Sequence, residues 1–93
     1  MSAILVWWIE LDDAAKKDLA ALDKQVSRRI VTFLRKRLAP QNDPRAIGEP
    51  LKGSRLGEFW KYRVGDYRII ANIEDDRLHI LVVRIGNRKE VYR

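Results

Sequence analysis

The stretch "FWKYRVGDYRII", residues 59–70, decides the architecture. Bulky and basic side chains alternate along its first half, the chain turns at Val64, Gly65 and Asp66, and a further arginine follows at Arg68. Side chains two apart in a strand point the same way, so Lys61 and Arg63 project from one face of the first arm. Like charges held side by side on a sheet repel. Such a face either meets a polyanion or is simply a solvated strand surface.

Working outward, strands are expected over about 58–64, 67–74 and 77–86, with Val64, Gly65 and Asp66 forming one tight turn and Asp75 and Asp76 the other. The last strand, "RLHILVVRIG", is apolar on both faces and belongs in the interior of the sheet. Upstream, Pro40, Asn42, Asp43, Pro44, Gly48, Pro50 and Gly53 make 39–57 a long loop, a kind of segment that is often functional. Before it, Asp12 and Asp13 are placed to cap a helix through 14–22, with Ala15, Leu19, Leu22 and Val26 at spacings of four, three and four. Asp23 caps or interrupts, and a second helix runs from 24 to about 38. Its apolar stripe is Val26, Ile30, Phe33 or Leu34, and Leu38, with Arg28, Arg29, Arg35, Lys36 and Arg37 largely outside it. The opening "AILVWWIEL", 3–11, reads as a strand buried on both faces. The order β-α-α-β-β-β gives an α+β fold, a helical hairpin packed on a largely antiparallel four-stranded sheet. The first strand pairs with one of the later three, and the pattern leaves open which.

Ninety-three residues organise one hydrophobic core, hence a single domain over 1–93. With 46% hydrophobic and 34% charged residues the chain is globular rather than disordered. Nineteen Lys+Arg against thirteen Asp+Glu leave a net charge of +6, which favours an acidic partner such as nucleic acid or an acidic protein. The absence of cysteine excludes disulfides and thiolate metal sites, and a single histidine argues against a zinc site built from histidines. No cofactor is implied. The apolar opening lacks the basic segment and cleavage site of a signal peptide and is too short to span a bilayer. No membrane role is expected, and a cytoplasmic location is the default.

Among the cations after residue 50 are Lys52, Lys61, Arg63, Arg68, Arg84, Arg88 and Lys89, with Trp60, Tyr62, Tyr67 and Tyr92 close to them in the sequence. Arginine offers phosphates a planar fork of donors, and aromatic rings stack on unpaired bases. Taken singly, each has a plainer reading. A strand arginine is commonly solvated, Trp60 and Tyr62 suit a core, and His79 in its apolar strand reads as structural.

Order and spacing add what composition does not. "LKG" at 51–53 followed by "WKYRVGDYRIIANIEDDRLHILVVRIGNRKEVYR" at 60–93 resembles the RelE branch of the RelE/ParE toxin superfamily, and the helical hairpin is typical of it. The resemblance covers nearly the whole chain. It implies the toxin of a type II toxin–antitoxin system, a ribosome-dependent endoribonuclease that cuts mRNA in the A site and stops translation. The implied partners are a cognate antitoxin, the ribosome and mRNA, with operator DNA met only through the toxin–antitoxin complex. By position, Lys61 and Arg63 match the family's paired strand cations, Arg68 its turn arginine, Arg88 the arginine after the last strand, and Tyr92 the C-terminal tyrosine. Lys52, Arg84 and Lys89 would add contacts to RNA or the ribosome.

Cutting RNA by internal transesterification needs a base for the 2′-OH, stabilisation of the phosphorane, and compensation of the departing 5′-oxygen. No histidine lies in the basic group, so Lys, Arg and Tyr would supply dense positive charge instead of ideally tuned proton transfer. In well-known relatives both strand positions are lysine and the second is the base; here it is Arg63, which does not give up its proton. Lys61 and Tyr92 remain as bases, the family reading favouring Tyr92 for stacking on the mRNA. Arg68 and Arg88 would bind the phosphate. Some relatives continue into a further helix that the antitoxin displaces; here the antitoxin is expected to cover the face directly. The alternatives are a ParE-like inhibitor of DNA gyrase, which is an interaction protein, and a relative without nuclease activity that only binds.

Overall fold

The structure is a computed structural model and describes residues 6–51 and 59–91. Strand β1 is Trp8–Leu11. The carboxylate of Asp12 then accepts from the Ala15 N–H at 2.9 Å and caps helix α1, Asp13–Ala20. Asp23 does the same for helix α2, Lys24–Thr32, accepting from the Gln25 N–H at 3.2 Å. Each cap satisfies one of the N–H groups that a helix start leaves without a partner, worth about 1 kcal/mol.

Helix α2 continues directly into a π-helical segment, Phe33–Leu38. Ile30, Leu34 and Leu38 are all buried, but a spacing of four outruns the roughly 3.6 residues of an α-turn. Widening the turn keeps all three on the sheet, and the Ala39 N–H accordingly donates to the Leu34 carbonyl, five residues back, at 2.9 Å. A 3₁₀ turn, Pro44–Ile47, follows. Then come β2, Glu49–Pro50, β3, Phe59–Val64, and β4, Tyr67–Glu74; a short 3₁₀ turn, Asp75–Arg77, leads into β5, His79–Asn87.

The strands form one sheet in the order β1-β5-β4-β3-β2, with β1 parallel to β5 and every other pair antiparallel. Ala15, Ile30, Leu34 and Leu38 from the helical side meet Tyr62, Ile69, Ala71, Ile73, Ile80, Val82 and Ile85 from the sheet. Burying an aliphatic side chain of this kind contributes about 1.5–3 kcal/mol, so this face holds the layers together. Gly65, at φ +59°, takes the first central position of the two-residue turn closed by Val64 and Tyr67, a conformation that favours glycine.

The α+β class and the element order match the sequence reading, with two differences. The sheet has five strands, not four, because Glu49 and Pro50, in the segment read as loop, pair with Lys61 and Trp60. Proline is tolerated there because β2 is an edge strand that needs no further donor. The opening strand is not buried on both faces: Ile9 and Leu11 pack on the core, while Trp8 is 71% exposed. An apolar run cannot announce that its strand lies at a sheet edge with only one covered face; residues 3–5 of that run lie outside the described residues. β5 is an interior strand, as its two-sided apolar pattern required. His79 is structural too, its ring nitrogens 2.9 Å from Glu10 and 2.8 Å from Glu74, which links β5 to both neighbours.

Candidate active site

Tyr62 sets the site from behind. It is fully buried, its hydroxyl donates to the Pro44 carbonyl at 2.8 Å, and its ring lies 6.0 Å from that of Phe33. Burial pushes its phenol far above the ordinary range. With Tyr62 locked inward, alternation turns Lys61 and Arg63 to the opposite face. The β3–β4 register then sets Arg68 directly across from Arg63. Two arginines at cross-strand positions destabilise a sheet by a few tenths to about 1 kcal/mol, a cost that packing does not explain.

Lys61, Arg63 and Arg68 line one small cleft of about 50 Å³ with Ile47, Gly48 and Glu49. Its fourth charged group is an acid. β2 pairing places Glu49 opposite Lys61, and the carboxylate Oε2 lies 3.6 Å from the Lys61 Nζ. Arg68 is held by its own turn, with Nη1 donating to the carbonyls of Gly65 at 3.0 Å and Tyr67 at 2.9 Å. This anchoring fixes the guanidinium before any ligand arrives.

The remaining sequence candidates fall into three groups. Arg88 is drawn to the same end of the sheet, its backbone N–H donating to the Asp66 carbonyl at 2.9 Å, and its side chain is exposed. Lys89 is exposed beside it, its N–H held by the Asn87 side chain at 3.0 Å. Val91, buried, packs on Gly86, the register partner of Arg68. Arg84 is not brought to the cleft: its Nε donates to Asp18 of α1 at 2.9 Å, and the same carboxylate oxygen accepts the Ile85 N–H at 2.9 Å, beyond the point where β1 ends. Lys52 and Tyr92 lie outside the described residues.

Trp60 is also structural. The Arg45 guanidinium sits 5.8 Å from its ring centroid while donating to both carboxylate oxygens of Asp75, at 2.8 and 2.7 Å. That hydrogen-bonded pair holds the Asp75 carboxyl below the usual carboxylate range. Arg45 thereby ties the 3₁₀ turn carrying the cleft lip to the corner between β4 and β5. Reading the sequence missed Glu49 and Arg45, because both lie in the segment taken as loop and gain their roles only through strand pairing and a contact thirty residues away.

Chemically, the cleft offers fixed positive charge to a phosphate, which stabilises charge developing on phosphoryl oxygens. It also places an amine and a carboxylate beside that charge. Among the described residues no helix is long and apolar enough to cross a membrane. Fold and site together define a small α+β protein with a cationic cleft on the side of its sheet that Lys61 and Arg63 face, opposite Tyr62.

The model of the ParE toxin family of type II toxin–antitoxin systems matches residues 9–92, and the chain belongs to that family. It is similar to Toxin RelG of Mycobacterium tuberculosis (strain ATCC 25618 / H37Rv), 27% identical over 85 residues that span 91% of this chain and 94% of the relative. Toxin RelE of the same organism is 28% identical over 85 residues, 91% of this chain and 84% of the relative. In fold it is similar to the crystal structure of the toxin–antitoxin complex RelBE2 from Mycobacterium tuberculosis, with a TM-score of 0.81 at 22% identity, covering 97% of this chain and 100% of the other.

Proposed function

We propose that this RelE-like toxin is a ribosome-dependent endoribonuclease that cleaves mRNA in the A site and so arrests translation in the cytoplasm. The observation that carries this reading is the cleft in which Lys61, Arg63 and Arg68 meet around a space suited to a phosphate. Arg63 and Arg68 would neutralise the phosphorane and Arg88 the leaving oxygen. Proton removal from the 2′-OH falls to Lys61, to Glu49 or to Tyr92. No conventional acid/base pair of histidines supports fast cutting of free RNA, and alignment of the 2′-OH by the ribosome can supply roughly 7–11 kcal/mol of the barrier. A cognate antitoxin would hold the toxin inactive by covering this face. The RelBE2 neighbour is itself a toxin–antitoxin complex, which supports such a partner. Operator DNA would be met through that complex only.

The matching family is described by ParE, which favours a second reading, inhibition of DNA gyrase without nuclease activity. The two separate cleanly in a reconstituted translation system. Primer extension on ribosome-bound mRNA should reveal cuts in the A site, and the same preparation should leave gyrase supercoiling untouched. Blocked supercoiling with intact mRNA would establish the second reading instead.

A further inference from the structure

A larger basic groove adjoins the cleft, running between α2 with its π-helical extension and the β3–β4 turn. Arg28, Arg29, Lys36 and Arg37 line the helical side, and Arg63 the other, around about 660 Å³, a size in the range of about 300–1,000 Å³ typical of ligand pockets. Phe33, Ile47 and Val64 add apolar surface between them. Among the described residues no carboxylate lines the groove. Among the described residues none of its five cations has an ion-pair partner. The helix dipole accounts for cations in the last turn of a helix, Arg29 in α2 among them, but not for Arg28. The Arg29 guanidinium reaches the hairpin, 3.1 Å from where a Cβ on Gly65 would sit. Ile47 and Arg63 line both the groove and the small cleft, so the two are continuous.

We propose that this groove binds the sugar–phosphate backbone of single-stranded RNA entering or leaving the cleft, a placement that rests on the endoribonuclease reading for its direction. Unpaired cations on the walls meet phosphates, four of the five as the planar forks of arginine, and the apolar surface between them accepts ribose and base faces. The shared Arg63 wall lets one strand occupy both spaces without a break. An acidic protein helix would match the charge but not this continuity with a phosphate-sized cleft.

The test uses fluorescence anisotropy of the full chain with a labelled single-stranded RNA oligonucleotide carrying 2′-O-methyl riboses throughout, which cannot be cut. Log affinity falls with log salt by about 0.7 per phosphate contact on a single strand, so Arg29→Gln/Arg37→Gln should lower the slope by about 1.4. Arg29→Lys/Arg37→Lys should keep most of it, and far-UV circular dichroism confirms that both variants are folded. An unchanged slope and affinity in the glutamine variant would overturn the proposal, as would loss of antitoxin binding with RNA binding intact. The outcome is independent of catalysis. A wild-type protein that cuts no mRNA while the glutamine variant loses slope sinks the nuclease reading alone; normal A-site cutting with an unaltered slope sinks the groove alone.

Discussion

Replacing Gly48 by alanine tests whether the inward lock of Tyr62 holds the cleft together. An ideal Cβ on Gly48 would lie 2.6 Å from Tyr62 Cε1 and 3.1 Å from Cδ1 and Cζ. The backbone there is extended, φ −123°, so the penalty is steric and not conformational. Ordinary van der Waals contact begins near 3.4 Å, and the ring cannot withdraw by the missing distance. It is fully buried, bonded through its hydroxyl to the Pro44 carbonyl, and faced by Phe33. The lip of the cleft must therefore move outward, and overpacking of this kind costs about 1–3 kcal/mol. For a domain of this size each kcal/mol lowers the melting temperature by about 4–8 °C. Calorimetry on Gly48→Ala should thus show a melting temperature lower by roughly 8–16 °C at a mid-range cost of about 2 kcal/mol. The double variant Gly48→Ala/Tyr62→Leu should lose less than the sum of the two single losses, since the smaller side chain vacates the space. A melting temperature within measurement error of wild type would refute the packing described here. A-site cleavage should fall even at temperatures where the variant is folded, because Gly48 and Glu49 form the wall opposite the three cations.

Lys61→Ala should lower single-turnover cleavage by at least about 10²-fold, the usual effect of removing one charge-stabilising donor; Lys61→Arg should stay equally slow if the amine is the base, and a near wild-type rate would reduce Lys61 to a source of charge. Glu49→Gln keeps the shape of the lip and removes its carboxylate, so a loss comparable to that of Lys61→Ala assigns the proton transfer to Glu49, whereas an unchanged rate removes Glu49 from the chemistry. Arg63→Lys restores a titratable amine to the strand face and should hold or raise the rate, checked in the same assay; a fall of tenfold or more would show that the guanidinium fork itself is needed. Burial raises the Tyr62 phenol above its ordinary value of 10.0, so the folded state keeps a proton that the unfolded chain releases. The neutral phenol's contribution is full below pH 10 and is lost as the pH rises beyond it. Denaturant unfolding should therefore show the advantage of wild type over Tyr62→Phe shrinking through that range, and a constant difference would count against it.

The hairpin at the centre of the chain was legible because its signals are local. Lys61, Tyr62 and Arg63 alternate, glycine stands where the turn needs positive φ, and Arg68 falls opposite Arg63 once the turn length is known. Asp12 and Asp23 announced both helix starts by the same local chemistry. Periodicity marked the stripe of α2 but not its π-helical end, since the spacing of Ile30, Leu34 and Leu38 shows its misfit only against a sheet that all three must reach.

By itself, then, the sequence determined the order of the two helices and of every strand but β2, the helix caps, the hairpin and the face on which Lys61 and Arg63 lie, all consequences of interactions within a few residues. Tertiary structure decided that Trp8 stands on an exposed edge strand, that Glu49 faces Lys61, that Arg84 turns to Asp18, and that the cations of α2 adjoin the cleft. Each depends on contacts between residues far apart in the chain. A polar or aromatic side chain carries its chemistry in its own formula, but its partners are set by which surfaces the whole chain must bury together.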